Sequence, residues 1–425
     1  MNIPTLSLAL LVAGLLAAPA AAQSVHIVAG DGSGDFVQLQ AAVDAAVDGD
    51  VILVRPHLEP YDPTIVAGKG LVLVGEGASR PALDEVIVRD LPADRTVVLR
   101  HLTVEGSAEL RGFMQWELHD GLILVDNVGC VWIEDVLLAG DEGWSNWGDL
   151  GFGRTGLVAV RNDCVLFVRS EIRGGEGGLS TGATPYPGGP ATNIIDSSFA
   201  FHGTTVVGGE GSEGVYGPGQ TGERGGDGLA VTNSLVFASG STFLGGDTGL
   251  GDVTSAVPTA TGLVLQDGNV VHRVDTVVSA GGGDAPAGDD VLETGAPGVF
   301  VDLGEAHRQL TVPATLREGV ASLMTYAGVP GDLVLLQASF TPDFVPLYQG
   351  LAGVLHRGPV AAEAVIGVAG PPLGGFTSFL LGPPLPVGVE GVAAFAQPVI
   401  LTPGGDLRLG SPSMIALLDG AVPTP

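Results

Sequence analysis

A run of similar segments between Gly121 and Gly283 constrains this chain more than any other feature. Each copy reads as a β-rich run, an Asx or Ser turn, a second β run and a glycine-rich spill. The copies open GLILVDNVGCVWIEDVLLAG at Gly121, GLVAVRNDCVLFVRSEIRGG at Gly156, ATNIIDSSFAFHG at Ala191, GLAVTNSLVFASGSTFLGG at Gly228 and GLVLQDGNVVHRVDTVVSAGGG at Gly262. A repeat of roughly 34 to 36 residues marks a solenoid, whose coils hide their apolar faces only by stacking. Upstream, short apolar runs at 71–74, 86–88, 97–99 and 102–104, bounded by Gly, Pro or Asp, extend the pattern. Polar steps at the turns predict ladders from coil to coil. One corner is expected at Glu134-Asp135, Arg169-Ser170, Asp196-Ser197, Ser239-Gly240 and Val274-Asp275, and a second at Asn127, Asn162 and Asn233. Turn chemistry accounts for all of these, so catalysis is not sought among them.

Charge narrows the partners. Asp and Glu number 47 against 17 Lys and Arg, a formal charge of −30, and Lys69 is the sole lysine. Neutralising phosphates needs clustered cations, so nucleic acid and anionic membrane are not expected partners. Residues 1–22 read as an export signal peptide, with an apolar core from Leu6 to Leu16 and Ala20-Ala21-Ala22 as the cleavage pattern. No later run is long and apolar enough to span a membrane. The mature chain is expected to be secreted or periplasmic. Cys130 and Cys164, the two cysteines, occupy matching places in the first two copies. Strands in one sheet lie about 4.8 Å apart, so the pair is either a coil-to-coil disulfide or two stacked, buried thiols.

The segment 31–56, DGSGDFVQLQAAVDAAVDGDVILVRP, sets Phe36, Leu39, Val43 and Val47 on one helical face behind Asp35 as N-cap. It resembles the opening of right-handed parallel β-helix proteins of the pectate lyase and pectin methylesterase superfamily. That resemblance implies a right-handed β-helix closed at its N-terminal end by a short helix. From about residue 305, evenly spaced apolar runs with proline turns predict an antiparallel β-sandwich. It is similar to small modules appended to many secreted bacterial proteins, and its simplest role is to close the C-terminal end of the solenoid. The expected organisation is all-β: a leader over 1–22, a right-handed parallel β-helix solenoid with an N-terminal helical cap over 23–304, and a small antiparallel β-sandwich over 305–425.

Function is expected in the spills, at 141–155, 174–190, 207–227, 246–261 and 281–297, which must gather on one side of a solenoid. Trp144, Trp147, Tyr186 and Tyr216, with Arg154 and Arg224, form a sugar-binding palette of rings beside charged groups. A polysaccharide or cell-surface glycan is the expected ligand, and rings that merely pin the loops are the alternative. Asp247, Asp252, Asp284 and Asp289 are candidate Ca²⁺ ligands, against a solvated acidic surface. Gly178 to Gly182 (GLSTG) matches a nucleophile elbow but lacks its strand–turn–helix setting, and the eight histidines show no zinc spacing. Neither the arginine–proline segment of pectate lyases nor the GxxDFIFG strand of pectin methylesterases is present. Asp289-Asp290 is the nearest counterpart to paired glycosidase aspartates. The leading expectation is a non-catalytic polysaccharide-binding or cell-surface protein. A lyase or glycosidase using loop carboxylates with Arg154 or Arg224 is the alternative, and a ligand-free envelope component is a third.

Overall fold

The computed structural model describes residues 23–106, 109–111, 115–117, 119–143, 151–178, 186–213, 222–249, 259–283, 288–304, 306–346, 353–356, 358, 360, 362–370 and 374–420. Among these, one helix accompanies an otherwise β-stranded chain. Three stacks of parallel strands form a β-helix-like solenoid. The first face runs through Thr64–Ala67, Val86–Arg89, the first parts of Leu122–Glu134 and Leu157–Val168, then Thr192–Ile195, Leu229–Thr232, Leu263–Gln266 and Val291–Thr294. The second runs through Val25–Val28, Val51–Val54, Val72–Gly75, Thr96–Arg100 and the later parts of the two long strands. It continues through Ser198–His202, Leu235–Ser239, Val270–Val274 and Val299–Asp302. The third runs from Ala82–Leu83 to Val277–Ser279.

Each corner needs one residue in the left-handed region, and the chain supplies mostly Asp, Asn or glycine, with His101, Arg161 and Arg169 as the exceptions. Asp90, Asp126, Arg161, Asp196, Asn233 and Asp267 turn the first corner with φ from 45° to 57°. His101, Asp135, Arg169, Gly203, Gly240 and Asp275 turn the second with φ from 45° to 59°. Two expectations are therefore corrected. Asp196-Ser197 lies at the first corner, and Gly203 makes the third copy's second turn. The buried ladder is Asn127, Asn162, Ser197, Ser234 and Asn269, not Asn233. Asn127 Nδ2 donates to Asn162 Oδ1 at 2.8 Å, Asn162 N to Ser197 Oγ at 3.0 Å and Ser197 N to Ser234 Oγ at 3.0 Å. Asn233 sits one residue earlier, in the strained turn position itself, and donates from Nδ2 to Asp196 Oδ1.

Inside the coils, Phe167, Phe199 and Phe201 stack with centroids 5.5 to 6.2 Å apart, and Phe243 meets Phe201 edge-on. Cys130 and Cys164 pair across adjacent strands and are bonded, with Cα atoms 4.6 Å apart. At the N-terminal side, Leu39–Ala45 is helical and buries Leu39, Ala42 and Val43 in the core. The expected details shift by a few residues. Asp35 accepts from Ile27 N rather than capping the helix, Gln38 is the N-cap, and Val47 is 62% exposed.

Beyond Gln309 pairing becomes mainly antiparallel. Gln309–Thr311, Ala321–Ala327 and Gly375–Leu381 form one sheet. Thr315–Arg317, Ser413–Leu418, Gly391–Leu401, Leu333–Ser339 and Ala362–Val368 form another, with Leu407–Leu409 at its side. Leu310, Met324, Leu336 and Ile415 belong to one buried cluster with residues of both sheets. The larger sheet does not close the C-terminal end of the solenoid. Its other face, with Ala393, Phe395, Met414, Ala416 and Leu418, packs along the flank against Val51, Leu53, Val98, Trp132, Leu166 and Phe237 of the second face. Trp132 lies 4.9 Å from the Phe395 ring. Second-face strands are thus buried on both sides, which explains their unbroken apolar runs.

Polar anchors pin this flank. Glu134 is fully buried, paired to Arg100 at 3.1 Å and to Arg169, and takes hydrogen bonds from Ser413 Oγ, from Met414 N at 2.7 Å and from Trp132 Nε1 at 2.9 Å. Burial would raise its carboxyl, but Arg100 and Arg169, with Ser413 and Met414, hold it below the ordinary value. Higher up, the Nε2 atoms of buried His202 and His356 stand 2.8 Å apart.

Candidate functional site

The glycine-rich spills do not leave the solenoid as independent loops. Each begins with an outgoing arm that continues the third face and ends with a return arm that re-enters the first. The arms are extended and show a period of three. Val207 is half-buried, Gly208-Gly209 buried, Glu210 exposed, Gly211-Ser212 buried and Glu213 exposed. Arg173-Gly174-Gly175-Glu176 repeats the pattern. Three residues per turn is the period of the polyproline II helix, which makes no internal hydrogen bonds and must find partners outside itself.

The neighbouring arms are those partners. Gly140, Gly174, Gly208 and Gly245 donate to the carbonyls of Arg173, Val207, Leu244 and Ser279 one coil on. Gly143, Gly177 and Gly211 donate in the same direction to Glu176, Glu210 and Asp247. The middle residues turn the other way: Gly175, Gly209, Gly246 and Gly281 donate to Arg154, Gly189, Gly226 and Ala260 on the preceding return arm. Gly189 and Gly226 then donate back to Gly175 and Gly209. The result is a backbone lattice, satisfied arm to arm. None of these glycines has a left-handed φ; contact selects them. A Cβ at Gly209 would lie 1.9 Å from the Gly175 carbonyl, and one at Gly226 1.7 Å from the Gly189 carbonyl.

At every third position the side chain escapes the lattice, and these positions align from coil to coil as Glu142, Glu176, Glu210 and Asp247. Glu176 is raised above the ordinary carboxylate value, first by burial and then by Glu142 and Glu210. Asp141 takes the lattice position that Gly175, Gly209 and Gly246 hold in later coils. It is buried, its Oδ2 has no partner, and burial together with Glu142 pushes its carboxyl up to about 7. His119 and Asp120 adjoin it. Asp141 N donates to the His119 carbonyl, and His119 Nδ1 stands 3.6 Å from Glu85 Oε2. Burial also raises Glu85 and Asp120.

Of the expected glycan residues, Trp144, Trp147 and Tyr216 lie outside the described residues. Tyr186 is half-buried, its ring laid on the backbone of Gly151, and it meets Phe152 edge-on at 5.1 Å. Phe152, 53% exposed, was not singled out in the sequence, where a lone ring between glycines gives no periodic signal. Arg154 lies beside Asp141 with an unpartnered Nε, whereas Arg224 pairs with Asp227, whose Oδ1 also accepts from Thr261 N at 2.9 Å. The two arginines are on different return arms.

Of the expected cation ligands two are described. Asp247 accepts from Gly282 N, Asp289 is exposed, and Asp252 and Asp284 lie outside the described residues, as does Ser180 of the GLSTG segment. Among the described residues no group of three or more His, Cys, Asp or Glu is placed to hold a metal ion. No helix among them is long and apolar enough to cross a membrane.

No family model matches the chain, and comparison with curated proteins finds no match. Among solved structures, the siphovirus 9NA tailspike receptor binding domain aligns over 90% of this chain and 97% of that one. Its identity is 10% and its TM-score 0.15.

Proposed function

We propose that this is a secreted, non-catalytic glycan-binding surface protein that presents its loop tips from the glycine lattice. The lattice carries the reading: a chain that needed only to join two strands would use a short turn, not arms bonded backbone to backbone over five coils. Held in this way, the described arms form a pre-ordered surface that loses little freedom on binding. Phe152 and Tyr186 supply an aromatic platform at the lattice edge, and the expected partners Trp144, Trp147 and Tyr216 belong to the sequence segments that join the arms. In the same reading residues 1–22 are a cleaved signal peptide and 23–304 a right-handed β-helix of the pectate lyase-like superfamily. Leu39–Ala45 then serves as its helical cap, and 305–425 is a β-sandwich module.

Incubating the protein with immobilised polyuronides and neutral glycans, with and without Ca²⁺, tests the proposal. Retention without product is expected, and Phe152→Ala should weaken it about three- to tenfold. Product release would overturn the non-catalytic reading. The enzyme alternative has one observation in its favour. Asp141, titrating near neutrality beside His119, Glu142 and Arg154, has the profile of a general acid or base. In that case Asp141→Asn abolishes turnover and leaves retention intact.

A further inference from the structure

Two buried histidines meet where the second face of the solenoid meets the C-terminal strands. His202 ends the strand Ser198–His202, and His356 follows Val354–Leu355. They are 2% and 0% exposed, and their Nε2 atoms stand 2.8 Å apart. Phe237 lies 5.6 Å from the His202 ring, and Trp132 and Phe344 lie 6.5 and 5.8 Å from the His356 ring. The backbone beside His356 is clasped as well. Its amide donates to Gln397 Oε1 at 3.0 Å, and Gln397 Nε2 donates to the Val354 carbonyl at 2.7 Å. The ring-to-ring contact needs one hydrogen and one lone pair, and it makes no difference which ring supplies which. A first added proton keeps the bond but puts a cation among apolar rings. A second would set two N–H groups against each other.

Among the described residues no carboxylate pairs with either ring. On the solenoid, Arg169 is engaged with Glu134. His307 is held by Ser239 Oγ at 2.9 Å and by Gln309. Arg308 and Arg408 lie beside Phe237 and Ser239 and pair with Asp332 and Asp406, and the Asp343 carboxylate takes the Phe344 amide. The Asp343 carbonyl favours a proton on His356, but burial outweighs it and lowers that ring to about 3. Burial also lowers His202, and His356 and His307 add to the effect. Below the ordinary 6.5, therefore, the unfolded chain binds protons that the folded chain refuses. The contribution of the pair is fully present above about pH 6.5 and is lost as the pH falls. We propose that His202 and His356 form an acid-sensitive latch, which holds the segment around Val354–His356 against the solenoid at neutral pH and frees it in acid. Glu134 anchors the same flank, and its carboxylate stays charged until the pH falls below the ordinary 4.5, so acid reaches the histidines first.

Hydrogen exchange of the full chain at pH 7.5 and 5.0, corrected for intrinsic rates, tests this. Protection of the His356 amide is expected to fall at least about tenfold at pH 5.0, while that of Gly226, in the arm lattice, does not. Denaturant unfolding supplies the second readout. Between pH 6 and 5 the unfolding constant of His202→Gln or His356→Gln should rise about tenfold less than the parent's, because each variant removes one proton taken up on unfolding. Groups common to parent and variant cancel in that comparison. Should a variant fail to fold, exchange in the parent decides alone. Unchanged His356 protection at pH 5.0, a loss shared equally by Gly226, or variants with the parent's pH dependence would overturn the latch.

Discussion

Two regions of each coil solve the same stacking problem by opposite means. In the three faces, coils adhere through side chains: Phe167, Phe199 and Phe201 fill the interior, and Asn and Ser ladders close the corners. In the arms, coils adhere because side chains are missing. Glycine there lets backbone carbonyls and amides meet directly, and a Cβ would displace a neighbour by more than a van der Waals contact allows. The first mode gains from apolar burial and the second from hydrogen bonding, which adds little net stability but leaves strict geometric demands. The faces should therefore set global stability, and the arms should set only their own local order.

The strongest way to break this contrast is Phe167→Ala. It should lower global stability by about 3–5 kcal/mol in denaturant unfolding. A loss well below 1 kcal/mol would mean that the core does not dominate. Gly209→Ala should cost about 1–3 kcal/mol, expressed locally. Hydrogen exchange should accelerate at Gly226, whose amide donates to Gly209, while amides around Phe167 keep their protection. Asp141 sharpens the comparison through pH. Its folded-state value near 7 lies above the ordinary 3.8, so the native state retains a proton that the unfolded chain has released. Its contribution is present below about pH 4 and lost as pH rises through 7. Asp141→Asn should accordingly raise the melting temperature relative to the parent at pH 8 and bring no such gain at pH 4. The smallest effect belongs to Glu210→Ala, on the exposed third position of an arm, which should stay within about 0.5 kcal/mol of the parent.

How much of this was legible follows from what each signal encodes. The repeat was readable because coil length sets register, so Gly121, Gly156, Gly228 and Gly262 announce successive first-face strands. Corner identity was readable only to within a residue. Asn233 and Ser234 are both good turn formers, and sequence does not say which takes the left-handed angle. The covered flank left a trace that invited closer reading. First-face strands such as Leu229–Thr232 alternate buried and half-buried, whereas CVLFV at 164–168 is apolar throughout. Such a run needs a cover on each side. The arms were the least legible, because glycine for contact and glycine for a turn look alike until the period of three is counted. Phe152 and the pairing of Asp141 with its buried neighbours follow from that lattice and could not be seen without it.

The flank has a consequence for how the chain comes into being. Val51, Leu53, Val98 and Trp132 are synthesised early, yet Phe395, Met414 and Leu418, which cover them, emerge far later. For most of synthesis the growing solenoid carries a sticky stripe down one side. A chain cut short before Ser413 would leave Glu134 without two of its hydrogen-bond donors and the stripe without Met414, Ala416 and Leu418.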